Sequence, residues 1–196
     1  MLDAAAVERI GVAGLRDACD AGVDWIQLRD RSRDGAALLA AADCAVAAAR
    51  ASARVVRVVV NRRADVARAA GADGVHLGFD ALPAARARAL LGAQAWIGVS
   101  LHDPAAVAGA SCADYVHLAP IFAPLSKPLE RIPLGLAALR AARASGLPVI
   151  AQGGIEPGNA RAVLAAGASG VAVTGAIAGA PDPARAVRAL RSALDA

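Results

Sequence analysis

Apolar residues in this chain fall in short runs, and alanine-rich stretches with helical spacing lie between them. One phrase recurs where the two meet. It reads Ala21-Gly22-Val23-Asp24-Trp25-Ile26-Gln27-Leu28 and returns as Ala70-Gly71-Ala72-Asp73-Gly74-Val75-His76-Leu77. It comes back as Cys112-Ala113-Asp114-Tyr115-Val116-His117-Leu118 and as Ala166-Gly167-Ala168-Ser169-Gly170-Val171-Ala172-Val173. A glycine or other small residue ends each helical stretch, a polar residue follows, and a short apolar strand begins. Glycine suits a helix end because the left-handed conformation costs it little. The pattern predicts strands over 24–28, 55–60, 74–77, 96–100, 115–118, 148–151 and 170–173. It predicts helices over 4–21, 35–51, 64–70, 83–91, 104–110, 134–145, 158–166 and 183–194. Asp34, Asp103 and Asp182 stand at N-cap positions, with Pro104 and Pro183 in the first turns that follow.

Strands that alternate with helices imply βα units and a parallel sheet. Repetition of that unit along the whole chain favours closure, so the expected fold is a TIM (β/α)8-type barrel in one domain over residues 1–196. Seven strands are predicted where eight belong, because the residues ahead of Asp24 read as a helix. The expectation is that the first strand is lacking, lost upstream of Met1, rather than replaced by another element.

Composition narrows the function. The 196 residues suit one domain and bury enough surface to need no disulfide or metal staple. Net charge is +4, carried by dispersed arginines with no Lys/Arg run and no interleaved aromatics. That balance suits a small phosphorylated ligand and excludes nucleic acid as the expected partner. Cys19, Cys44 and Cys112 stand apart, which reads as reduced thiols in a cytoplasmic protein. No apolar run is long enough for a membrane span, and no zinc spacing, nucleophile elbow or P-loop is present. Whether copies of the chain associate into a homo-oligomer is left open.

In a parallel barrel the strand C-termini converge on one rim, where the active site is built. The residues that follow the strands are Gln27-Leu28-Arg29-Asp30-Arg31, Asn61-Arg62-Arg63, Gly78-Phe79-Asp80, Ser100-Leu101-His102, Gln152-Gly153-Gly154 and Thr174-Gly175. A proline-rich loop over 119–133 adds Ser126 and Lys127, the one lysine of the chain. This rim is built for an anion. Gly153-Gly154 and Thr174-Gly175 end the last two strands, where such barrels hold a phosphate on backbone amides and a short helix N-terminus. Arg29 and Arg31 can grip phosphate through bidentate hydrogen bonds, or pair with Asp30 and Asp80. His76 and His117 occupy matching strand positions and read as core residues, while His102 can reach the rim.

These strand ends, in this order, resemble the thiamine phosphate synthase/TenI family. The stretches that carry the resemblance are Val23 to Arg29, Val60-Asn61, Ala72 to Gly78, Ile97-Gly98-Val99-Ser100 and Ala113 to Val116. Pro120-Ile121-Phe122 with Ser126-Lys127, and Gly153-Gly154-Ile155, complete it over about residues 14 to 190. The resemblance implies a synthase that joins hydroxymethylpyrimidine diphosphate to thiazole phosphate and releases diphosphate with Mg2+. It implies Gln27, Arg29 and Asn61 as pyrimidine and diphosphate contacts, and Ser100 and Lys127 on the diphosphate, with Ser126 among the substrate-binding residues. Gly153, Gly154, Thr174 and Gly175 would hold the thiazole phosphate. Lys127, Arg29 and Ser100 are the expected catalytic residues.

Several positions depart from the family pattern. The family's lysine two places after the arginine is Arg31, and the Mg2+-binding aspartate after Asn61 is Arg62. The second metal aspartate falls at Ala81, with Asp80 one place early, and Phe79 replaces a glutamine. The first threonine of the Thr-x-Thr-Lys loop is Pro124. Mg2+ needs carboxylate oxygens, so no metal site and no cofactor are expected, with Mg2+ only if synthase activity is retained. Arg31 and Arg62 are the substitute cations and are placed with the substrate-binding residues. Loss of the aspartate resembles the TenI branch, whose members aromatise the thiazole phosphate by proton transfer, although the histidine they use is Pro120 here. The leading expectation is a TenI-like barrel, tautomerase-type or ligand-binding, acting on a small phosphorylated thiazole in thiamine biosynthesis. The alternatives are the synthase, with a pyrimidine diphosphate as second ligand, and a non-catalytic regulatory barrel.

Overall fold

A computed structural model describes residues 1–123 and 131–196. Seven strands form one parallel sheet in chain order: β1 (Trp25–Leu28), β2 (Arg57–Asn61), β3 (Gly74–Leu77), β4 (Trp96–Leu101), β5 (Tyr115–Leu118), β6 (Val149–Gln152) and β7 (Gly170–Ala172). Among the described residues eight α-helices connect or flank them: α1 (Ala4–Asp20), α2 (Gly35–Ala51), α3 (Ala64–Ala69), α4 (Ala84–Leu91), α5 (Gly135–Ala142), α6 (Pro157–Ala165), α7 (Gly175–Ala178) and α8 (Pro183–Asp195). Among the described residues no helix is long and apolar enough to cross a membrane.

The period of two along each strand separates two environments. Ile26, Leu28, Val58 and Val60 point outward and bury against α1 and α2 in one apolar cluster. Val116, Leu118, Val149 and Ala151 do the same beneath α5 and α6. The alternate residues face inward. Trp25 of β1 meets Tyr115 of β5 at 4.9 Å between ring centroids, and Trp96 of β4 at 5.5 Å, edge-on. Strands so far apart in sheet order touch only across a barrel interior. Alanine-rich helices allow this curvature because their small side chains bring helix and sheet close: α2 buries Ala41, Ala42, Ala45, Ala48 and Ala49.

Closure between β7 and β1 is achieved by two residues. The Met1 amino group donates to Val173 O at 2.7 Å. Leu2 forms a parallel bridge with Leu28, its N–H reaching Gln27 O at 2.9 Å while its carbonyl accepts from Arg29 N at 2.7 Å. The structure therefore has the seven expected strands, and Met1-Leu2 spans the gap at the C-terminal mouth. Below that bridge the gap remains open as a largely apolar cavity of about 330 Å³, lined by Trp25, Ile26, Val171, Val187 and Leu190 among others.

Local differences from expectation have local causes. The second strand begins at Arg57 rather than 55, leaving Val55 90% exposed. The predicted helix after β4 is a 3-10 turn over Pro104–Gly109, capped by Asp103 on Ala105 N at 2.9 Å. α1 breaks at Gly11, which has φ 67° and ψ 172°. Predicted caps are present at Asp34 and Asp182, whose carboxylates accept from Ala37 N and Arg185 N, each at 2.9 Å.

Gly98 is fixed by packing. A Cβ there would lie 2.1 Å from the Tyr115 ring, and Tyr115 is among the largest fully buried side chains. Overpacking of this kind costs about 1–3 kcal/mol. Gly98→Ala should lower the urea midpoint accordingly with an unchanged m-value, and an unaltered midpoint would show that Tyr115 can shift at no cost.

Candidate active site

At the C-terminal mouth, β1 through β6 each turn a polar side chain inward: Gln27, Asn61, His76, Ser100, His117 and Gln152. Gln27, Asn61, His76 and His117 are the buried polar residues of the described chain. They form a connected layer. Gln27 Nε2 donates to Asn61 Oδ1 at 3.4 Å. His76 Nε2 lies 2.8 Å from Ser100 Oγ, and His76 Nδ1 lies 3.2 Å from the Tyr115 hydroxyl. His117 Nδ1 lies 3.2 Å from Gln152 Oε1, and its ring packs 4.2 Å from that of His76. Two buried atoms, Gln27 Oε1 and His117 Nε2, have no partner among the described residues. Native proteins seldom leave such atoms unpaired, so this layer offers an amide oxygen and a ring nitrogen to a further partner.

The histidines are neutral. Burial holds His117 down to about 3, and burial, then its neighbours His117 and Arg29, hold His76 well below its usual value. Both are buried, as the sequence predicts, at 1% exposure each. His76 has a partner at each ring nitrogen, and its Nε2 contact reaches the candidate Ser100. The alternation Val75-His76-Leu77 and Val116-His117-Leu118 was the available signal, because the outward neighbours are apolar.

Above this layer sits a cationic rim. Arg29 follows β1 and Arg62 follows β2. Arg62 Nη1 meets Asp80 Oδ2 at 2.7 Å, and Arg31 Nη2 stands 3.8 Å from Asp80 Oδ1. Asp30 is occupied otherwise: it accepts from Ala4 N, from Ser32 N and Oγ, and from Arg33 N. Of the anticipated ion pairs, Arg31–Asp80 is present, and Arg62 joins it on the same carboxylate. Arg62 has φ 67°, in the left-handed region that a long side chain enters at a cost of order 1–3 kcal/mol. Its N–H is tied to His76 O at 2.8 Å. Phe79 is 71% exposed and stacks on His102 at 5.0 Å, with the Arg131 guanidinium 5.8 Å from its ring. Sequence reasoning did not anticipate that stack.

Gly153-Gly154 and Thr174-Gly175 leave adjacent strands, since β6 pairs with β7 as Gln152↔Ala172. They therefore share the rim with Arg29. Gly153 and Gly154 have φ 99° and 61°, and a Cβ on Gly154 would lie 2.3 Å from Ala123 O. One on Gly153 would lie 2.9 Å from Pro120. The glycines are demanded first by the segment after β5, whose Ile121 and Phe122 amides bond to Gln152 O and Gly153 O at 2.8 and 3.1 Å. Thr174-Gly175 opens α7, and the first-turn amides of a helix have no intrahelical acceptor. Arg9 of α1 bonds to Ala178 O at the far end of α7. Ser126 and Lys127 lie outside the described residues.

A family model described as thiamine monophosphate synthase matches residues 2–177. The chain is 42% identical over 189 residues to the thiamine-phosphate synthase of Roseiflexus castenholzii, covering 95% of this chain and 82% of that protein. It is 46% identical over 184 residues to the thiamine-phosphate synthase of Methanoculleus marisnigri, covering 92% and 86%. Among solved structures, the thiamine phosphate pyrophosphorylase of Pyrococcus furiosus aligns with a TM-score of 0.83 at 30% identity, over 94% of this chain and 89% of that one.

The neutral histidines give a pH prediction. Unfolded, His117 takes a proton near 6.5; folded, it does so only near 3, so stability falls as pH drops below 6.5. By about pH 5 this amounts to on the order of 2 kcal/mol. Urea midpoints at pH 7 and 5 should fall less in His117→Gln than in the parent protein. Equal losses would show that His117 is not the buried neutral group described.

Proposed function

The chain belongs to the thiamine monophosphate synthase/TenI family of thiamine biosynthesis, and from that premise we propose that it joins a pyrimidine diphosphate to a thiazole phosphate and releases diphosphate. The observation that carries this reading is the pairing, on one rim, of two anion-binding features. Arginines 29, 31 and 62 follow β1 and β2, and the two glycine-bearing turns follow β6 and β7. A reaction between a diphosphate and a phosphate needs both. The relatives matched at 42% and 46% identity are synthases, which favours condensation over the TenI-like isomerisation expected first. The proton-carrying position of the TenI branch is Pro120, and His102 is held on Ala119 O and stacked against Phe79.

In this reading each residue has a role set by its surroundings. Gln27 and Asn61 bind the pyrimidine, Gln27 Oε1 being an acceptor without a partner among the described residues. Ser100 reaches the diphosphate with its hydroxyl positioned by neutral His76. When the bond to the diphosphate breaks, the electron pair leaves with the diphosphate, and Arg29 with its neighbours stabilises the charge that accumulates there. The amides around Gly153, Gly154, Thr174 and Gly175 take the thiazole phosphate. Ser126 and Lys127 enter through the family motif as further diphosphate contacts.

Purified protein given hydroxymethylpyrimidine diphosphate and thiazole phosphate should form thiamine phosphate and diphosphate. Arg29→Ala should lower kcat/KM by about 10²-fold or more, as loss of a charge-stabilising donor does elsewhere. Absence of product, with and without Mg2+, would refute the condensation.

A further inference from the structure

The acidic side chains at this rim do not fit a divalent cation. Mg2+ is held by one or two carboxylates with near-octahedral oxygen geometry. Asp80 turns one carboxylate oxygen to Arg62 and the other towards Arg31. Asp30 is filled by backbone amides and Ser32. Asp34 and Asp103 cap the elements that follow them, and Asp65 is paired with Arg63 at 2.6 Å. Among the described residues no group of three or more His, Cys, Asp or Glu side chains could hold a metal ion.

What stands at the same place is positive. We propose that this chain binds the diphosphate of its substrate through guanidinium groups, with Arg62 and Arg31 held side by side by Asp80. This rests on the condensation reading and deepens it. Two arginines on one carboxylate leave a net positive charge, and Asp80 sets their spacing. The ion pairs are solvent-exposed, Asp80 and Arg31 each at 57%, and exposed pairs are weak. A diphosphate brings more charge and more acceptor oxygens than one carboxylate, and the planar guanidinium fork matches phosphate oxygens two at a time. Arg62 is also the less exposed of the two arginines, at 29%. Its backbone is anchored on His76 O with φ 67°, a conformation that a short aspartate enters more easily than a long arginine.

The test is calorimetric titration of inorganic pyrophosphate into the intact protein, once in EDTA and once in excess Mg2+. Saturable binding in EDTA is expected, changed by Mg2+ within about threefold. Arg62→Gln, checked for folding by circular dichroism, should weaken binding in EDTA by at least about tenfold, the scale of one lost charge-assisted hydrogen bond. Binding that appears only with Mg2+ would overturn the proposal and leave condensation standing as a metal-dependent reaction. Unchanged affinity in Arg62→Gln would overturn it too. Lack of binding in both buffers would also overturn it, and the turnover assay would then decide condensation separately.

Discussion

Alternation along parallel strands is the constraint from which the other features follow. Once the strands curl, every second residue must go inside, and every strand must end on the same rim. The outward residues are uniformly apolar because helices cover them on that side. The inward residues change character with height. Trp25, Trp96 and Tyr115 fill the lower interior, and Gln27, Asn61, His76, Ser100, His117 and Gln152 fill the mouth. A polar layer resting on an aromatic plug gives a floor that excludes bulk water yet offers hydrogen bonds to a heteroaromatic ligand.

Electrostatics then divide the mouth by height. The buried histidines stay neutral, so the floor carries hydrogen-bonding directions and no charge. Charge is placed above it, on arginines that remain partly hydrated. This arrangement avoids burying an unpaired ion while keeping cations beside the place where a phosphoryl group would lie. At Arg62 and Ala81, where the family pattern has carboxylates, this chain instead sets Arg62 and Arg31 against Asp80.

Much of the fold was legible in the sequence because the repeated helix, small residue and strand phrase encodes the βα unit directly. The strand starts at Gly74 and Tyr115 match, and so do the caps at Asp34, Asp103 and Asp182. The bridge made by Met1 and Leu2 was not legible, since two residues carry no periodicity. The 3-10 turn at Pro104–Gly109 reads as a helix because alanine propensity does not separate 3-10 from α geometry. At the site, the rim residues were found from strand ends alone. The contacts His76–Ser100 and His76–Tyr115 needed the register of three strands. The glycines after β6 were recognised, but half their reason was hidden. They accommodate residues 120–123, brought there by the turn after β5 rather than by sequence proximity.

The central claim is that the rim has two separate anion sites, one on the glycine turns after β6 and β7 and one on the arginines after β1 and β2. A crystal structure with thiazole phosphate bound tests it most directly. The account predicts phosphate density against the backbone amides of residues 153–154 and 174–175, with the thiazole ring lying over the polar layer. Density for that phosphate on Arg31 and Arg62, with the glycine turns bare, would contradict it.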